Sequence, residues 1–124
     1  MVTETFKYLI NVILNNVTSK KQVLMFKHSA DQVFNLGDFT SATILYFKTL
    51  FAIHDFILLQ KIGYASKDHT ERFRLLEKEF PKSYKILDSE FNTYRSTYSR
   101  VISEETCVRI RELVENEIKK YEIE

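Results

Sequence analysis

Apolar residues recur along this chain at three- and four-residue intervals, the period of helices that bury one face. The densest stretch, Phe39 to Ile62, reads FTSATILYFKTLFAIHDFILLQKI and holds no Gly or Pro. One line of its helical projection carries Phe39, Ala42, Tyr46, Leu50, Ile53 and Ile57. A second carries Ile44, Phe47, Phe51, Leu58 and Ile62, with Leu45, Ala52, Phe56 and Leu59 filling most of what remains. A helix apolar almost all round must be buried almost all round. Its length suits a membrane span, but Lys48, His54 and Asp55 lie in its middle, each costing several kcal/mol in hydrocarbon, and amphipathic segments flank it. It is therefore expected as the core helix of a soluble bundle, covered by the other helices and by a second copy of the chain, since leftover apolar surface marks an interface.

The flanking segments supply the cover. Thr3 to Asn16 carries Phe6, Leu9, Ile10, Ile13, Leu14 and Val17 at helical spacing, with Asn15-Asn16 as a stop. Ser19 and Gln22 form a capping-box pattern that opens a second helix with Val23, Phe26, Ala30, Val33 and Phe34 on its apolar face. Gly37 closes it, Asp38 caps the core helix as its antiparallel neighbour, and Gly63 ends that helix. Ser66 is expected to cap a short helix with Phe73, Leu76 and Phe80 inward. Pro81 then starts a helix from about Lys82 to Arg100, burying Tyr84, Leu87, Phe91, Tyr94 and Tyr98. Ser103 starts the last, with a stripe of Cys107, Ile110, Val114, Ile118 and Tyr121. The expectation is one all-α domain over residues 1–124, an up-and-down bundle of five to six helices, with residues 1–18 as an additional N-terminal helix.

Composition agrees. With 44% hydrophobic and 28% charged residues, 124 residues make a folded domain able to bury about two-thirds of its unfolded surface. Two Gly and one Pro are too few for an all-β fold. A net charge of +1 exerts no global pull on nucleic acid or membrane. The single cysteine, Cys107, excludes an internal disulfide framework, and the N-terminus lacks the basic region and cleavage site of a secretory signal, so a cytoplasmic setting is expected.

Candidate chemistry is sparse. His28, His54 and His69 form no paired-histidine or cysteine-histidine spacing, so neither a metal nor another cofactor is expected. His54 reads as a hydrogen-bonded histidine at the bundle edge. Lys48 and Asp55 make a polar seam two turns long on the core helix, read as a satisfied buried charge pair or a polar strip at a subunit contact, or more sharply as a pocket wall. All six arginines, Arg72, Arg74, Arg95, Arg100, Arg109 and Arg111, lie in the second half, interleaved with Tyr94 and Tyr98. Arginine beside aromatics suits phosphate binding with base stacking, although acidic residues match the cations over the same half and favour a solvated face.

Leu36 to Tyr121 resembles the HEPN family of small helical domains, prokaryotic partners of minimal nucleotidyltransferases. The resemblance rests on LGDFTSATILYFKTLFAIHDFILLQKIG (Leu36 to Gly63), on SKDH (Ser66 to His69), on YRSTYSR (Tyr94 to Arg100), and on a last amphipathic helix, about two-thirds of the chain. It implies a bundle dimerised through its central helices, here residues 39–62, and a toxin–antitoxin or defence role. Active members of the family are metal-independent ribonucleases with an arginine followed after four to six residues by a histidine. Arg95 matches the arginine, but Arg100, Val101 and Ile102 stand where the histidine should fall. Ile102 also stands where some members carry a tyrosine that the partner enzyme modifies.

RNA cleavage through the 2′-hydroxyl needs a group that moves protons near pH 7, and a guanidinium does not. Two readings of the same residues follow. In the first, a catalytically degenerate module binds a nucleotidyltransferase partner, a nucleotide or RNA through Tyr94, Arg95 and Tyr98, with Lys67, His69 and Arg100 as neighbours. In the second, Arg95 works with His69 as a non-standard endoribonuclease pair. A purely structural oligomerisation unit is the third expectation, with the Arg/Tyr cluster buried as hydrogen-bonded structure.

Overall fold

A helix starts where a short polar side chain can close its first turn, and four starts here are of that kind. The computed structural model describes residues 3–124, which form α1 (Glu4–Asn35), α2 (Phe39–Ile62), α3 (His69–Glu79), α4 (Pro81–Ser96) and α5 (Glu104–Lys120), with no strand among the described residues. Thr3 accepts a hydrogen bond from the Phe6 amide, Asp38 from Ser41, Asp68 from Glu71 and Ser103 from Thr106. The fifth start is Pro81, whose missing N–H costs nothing at a helix's first position. Gly37 (φ 81°) and Gly63 (φ 84°) take the left-handed conformation that ends α1 and α2.

The structure corrects the expected boundaries in three places. Residues expected as two N-terminal helices form one α1 of 32 residues, about 48 Å long. Asn15 and Ser19 are weak helix formers, but neither removes a donor or opens the backbone as Pro or Gly does, so the ladder runs through them. Ser66 does not cap α3: its hydroxyl donates to Asp55 Oδ1 at 3.2 Å, and Asp68 takes the capping role two residues later. Finally α4 stops at Ser96 rather than Arg100, and Thr97 to Arg100 turn back towards the body. That early stop leaves Tyr98, expected inside, 76% exposed.

Helix α2 is the centre of the bundle. The second half of α1 packs along it through Val23, Phe26, Ala30, Val33 and Phe34, α5 packs through Cys107, Ile110, Val114 and Ile118, and α3 and α4 close the remaining side. Tyr46, Phe47, Leu50, Ile53, Ile57 and Leu58 are fully or almost fully buried. Although α2 is the one described helix long and apolar enough to cross a membrane, 72% of its most apolar window lies inside the fold. The chain's own helices cover most of its circumference, and Lys48, Gln60 and Lys61 are its exposed residues. Among the described residues, the first half of α1 covers nothing. Phe6, Leu9, Ile13, Leu14 and Val17 are all exposed.

Polar side chains fix the packing angles. Asp31 on α1 accepts from the Tyr46 hydroxyl of α2 at 2.5 Å and from Lys27 at 2.6 Å, while Arg111 of α5 lies 3.8 Å away. Burial raises the Asp31 pKa, but the Lys27 and Tyr46 hydrogen bonds outweigh it and hold the carboxyl below its usual range. At the other end, buried Ser83 donates to Glu117 at 2.8 Å and shares a 2.6 Å hydrogen bond with Tyr121, tying α4 to α5. Replacing Leu50 with Ala should lower stability by about 2–5 kcal/mol. Lys48→Ala, on an exposed position of the same helix, should stay within about 0.5 kcal/mol; urea denaturation of the two variants checks the contrast.

Candidate functional site

Most unpaired chemistry lies where α2, α3 and α4 meet. Asp55 emerges from α2 and His69 and Arg72 from the first turn of α3, one helical turn apart and so on the same face. Arg72 is only 7% exposed. One terminal nitrogen of its guanidinium donates to Asp55 Oδ1 at 3.1 Å, the other lies 2.7 Å from His69 Nδ1, and the group stacks over Phe51 at 4.8 Å. A guanidinium has donors only. The Nδ1 of His69 must therefore be the acceptor, which leaves the imidazole proton on Nε2. Burial first, and the Arg72 charge second, lower the His69 pKa and keep that neutral form.

Aromatic rings wall the cluster. The His69 ring lies 4.6 Å from Phe51, 5.5 Å from Phe91 and 5.7 Å from Tyr94. The Tyr94 hydroxyl meets that of Tyr98 at 2.7 Å, and burial, followed by this hydrogen bond, pushes the Tyr94 phenol up to about 12. His69 thus connects inward to Arg72 and outward, through Tyr94, to the exposed ring of Tyr98.

Below the cluster, His54 departs from its expected place at the bundle edge. It is fully buried under Phe51, and neither ring nitrogen has a hydrogen-bond partner among the described residues. Burial, then the Arg72 and His69 charges, drive its pKa down to about 3, so it is neutral throughout the ordinary range. Its neighbour Asp55 points the other way, to Arg72. The Lys48–Asp55 seam is not an ion pair: both residues line a groove of about 190 Å³ with Gln22, Phe26, Phe51 and Ala52.

The other sequence candidates are more dispersed. Arg95 is exposed, donates to Asn92 Oδ1 at 2.6 Å and lies 5.6 Å over the Phe91 ring. Phe91 therefore stands between Arg95 and His69, and the arginine that meets this histidine is Arg72. Lys67 is exposed at the bend before α3, and Arg100 is exposed in the turn after α4; neither side chain hydrogen-bonds the cluster. Sequence reasoning missed Arg72, assigning it to a solvated face, although the His69-x-x-Arg72 spacing of a helix start was there to read. Among the described residues no group of three or more His, Cys, Asp or Glu is placed to hold a metal ion.

Comparison with known proteins finds no match among family models, curated proteins or solved structures.

The buried histidine has a consequence for stability. Between pH 6.5 and about 3 the unfolded chain binds a proton at position 54 that the folded chain does not. Stability therefore rises with pH across that window and is lost on acidification, with a limiting slope of about 1.4 kcal/mol per pH unit. His69, also held low, acts in the same direction. Replacing His54 with Leu should flatten this slope in chemical denaturation from pH 7 to pH 4. At pH 7 it should match or exceed the parent by about 1–3 kcal/mol, because two unpaired buried nitrogens are removed.

Proposed function

We propose that the protein is a HEPN-like helical module without ribonuclease chemistry that binds a nucleotide, free or as an RNA end. The proposed face joins His69, Tyr94 and Tyr98, with Arg95 at its margin across Phe91. The nucleotidyltransferase partnership and the toxin–antitoxin or defence setting implied by the resemblance belong to this same reading. The observation that carries it is the state of His69. Its Nδ1 is occupied by Arg72, and its Nε2 carries a proton, so it is a hydrogen-bond donor without a free basic nitrogen. Beside it, the open ring of Tyr98 suits base stacking and the exposed Arg95 suits phosphate. Lys67 and Arg100 add positive charge on the flanks.

Fluorescence anisotropy with nucleoside triphosphates, monophosphates and a short single-stranded RNA tests this. Tyr98→Ala should weaken binding by at least about tenfold, as expected for loss of one base stack. Its melting temperature should stay unchanged, since the residue packs little. Absence of binding by every probe at millimolar concentration overturns the reading.

One observation favours a second reading. An arginine–histidine pair does form at His69, with Arg72 in place of Arg95. If the pair were catalytic, RNA would be cut in the presence of a metal chelator and the activity would disappear in His69→Ala. The leading reading expects RNA to remain intact under those conditions, and Tyr98→Ala to affect binding alone.

A further inference from the structure

The first half of α1 carries a second hydrophobic pattern that the bundle does not use. Phe6, Ile10, Ile13, Val17, Lys20 and Leu24 are spaced 4, 3, 4, 3 and 4 residues apart, a heptad repeat of core positions interrupted only at Lys20. This line lies roughly 130° around the helix from the Val23–Ala30 line that packs on α2. It faces away from the bundle. Phe6 and Ile13 are 51% and 61% exposed, and Leu9 and Leu14 widen the stripe on either side. Where the arm joins the body, the stripe continues into an open apolar groove of about 560 Å³ lined by Val17, Leu24 and Met25 and flanked by Lys20, Lys21 and His28.

A helix segment of about 14 residues with no tertiary contact is marginal in water, the more so with Asn and β-branched residues along it. The arm therefore needs an occupant on this stripe. A 3.5-residue repeat is the spacing of one helix seated on another. Helices that lie on lipid instead carry lysine and arginine across their polar face, whereas this arm carries Asn11 and Asn15 there. The occupant is a helix.

We propose that it is the same segment of a second copy, running antiparallel. A parallel pair would set Lys20 against Lys20 inside the seam, a like-charge contact that disfavours it. The antiparallel pair with the best register sets Phe6 of one copy opposite Val17 of the other and Ile10 opposite Ile13, each twice over. Lys20 then falls beyond the apolar layers, at the other copy's helix start. Glu4, the one acidic residue between positions 3 and 30, lies on the far side of the helix from this seam and pairs with Lys7 of its own chain at 3.6 Å, so the seam itself carries no charge apart from Lys20. The two bundles end up at opposite ends of the pair, so they do not collide. The surface is separate from the Tyr98 face, and the proposal is independent of that reading.

Sedimentation equilibrium of the full chain over a wide concentration range should show a monomer–dimer equilibrium. Ile13→Glu should leave a monomer at every concentration with an unchanged melting temperature for the body. Orientation is read by disulfide trapping. A mixture of Phe6→Cys and Val17→Cys chains should give a cross-linked heterodimer under mild oxidation, while neither variant alone cross-links. Native Cys107 is buried and stays silent. A concentration-independent monomer, whether free in solution or captured by lipid vesicles, overturns the proposal. Self-cross-linking of each variant alone, the parallel result, overturns it equally.

Discussion

The constraint on which the structure depends is the circumference of α2. A helix with apolar side chains on almost every side cannot be buried by one partner, because a single helix covers only a stripe. It must be wrapped. The wrap consists of the second half of α1, the whole of α5, and the α3–α4 pair on the remaining side. The amphipathic helices earn their places by supplying one apolar face each. Helix α5 is the plainest case, with Cys107, Ile110, Val114 and Ile118 inward and alternating charges outward. Ordinary packing density around such a core leaves little room to move, so residues at its rim take fixed positions.

The rim is where the polar groups collect. Asp31 binds α1 to α2 through Tyr46 and reaches Arg111 of α5; Glu117 binds α4 to α5 through Ser83. In both places a carboxylate, partly exposed at Asp31 and buried at Glu117, is met by hydrogen-bond donors. The α2–α3 junction is different. Arg72 is satisfied on its two terminal nitrogens but its Nε has no partner, and His54 has none at all. Unpaired polar atoms are costly inside a fold, and three of the four among the described residues lie in this cluster, the fourth being Arg111 Nε beside Asp31. That concentration, rather than any single residue, separates this corner from the structural clamps elsewhere.

Much of the fold was legible because its signals were local. The caps Asp38 and Ser103, the glycines at 37 and 63, and Pro81 as a helix start each act through a few neighbouring atoms. Buried stripes at 3.6-residue spacing follow from one-sided packing. What was not legible depended on distant partners. Whether Asn15-Asn16 ends a helix is decided by a balance of weak propensities. Ser66 is tied instead to Asp55 on another helix, and Asp68 caps α3. Tyr98 fits the α4 stripe perfectly by spacing, yet the helix stops two residues short of it. The site was half legible: His69 and the Tyr94–Tyr98 pair were picked out from residue type. His54 was placed at the bundle edge and Arg72 on a solvated face, because their burial depends on packing between helices.

The charge balance of that cluster explains its chemistry. The Arg72 guanidinium and the Asp55 carboxylate cancel, and two neutral histidines leave the corner uncharged. A proton on either histidine would place a second positive charge beside a guanidinium that already has its counter-ion, with aromatic rings in place of water around it. Arg72 therefore does more than anchor α3 to α2. By occupying His69 Nδ1 it dictates the tautomer, and its charge adds to the burial that keeps both rings neutral. A histidine so held presents an N–H outward and cannot take up a proton without giving up the contact that positions it. Under the proposed reading, such a histidine donates to an acceptor atom of the ligand and transfers no proton.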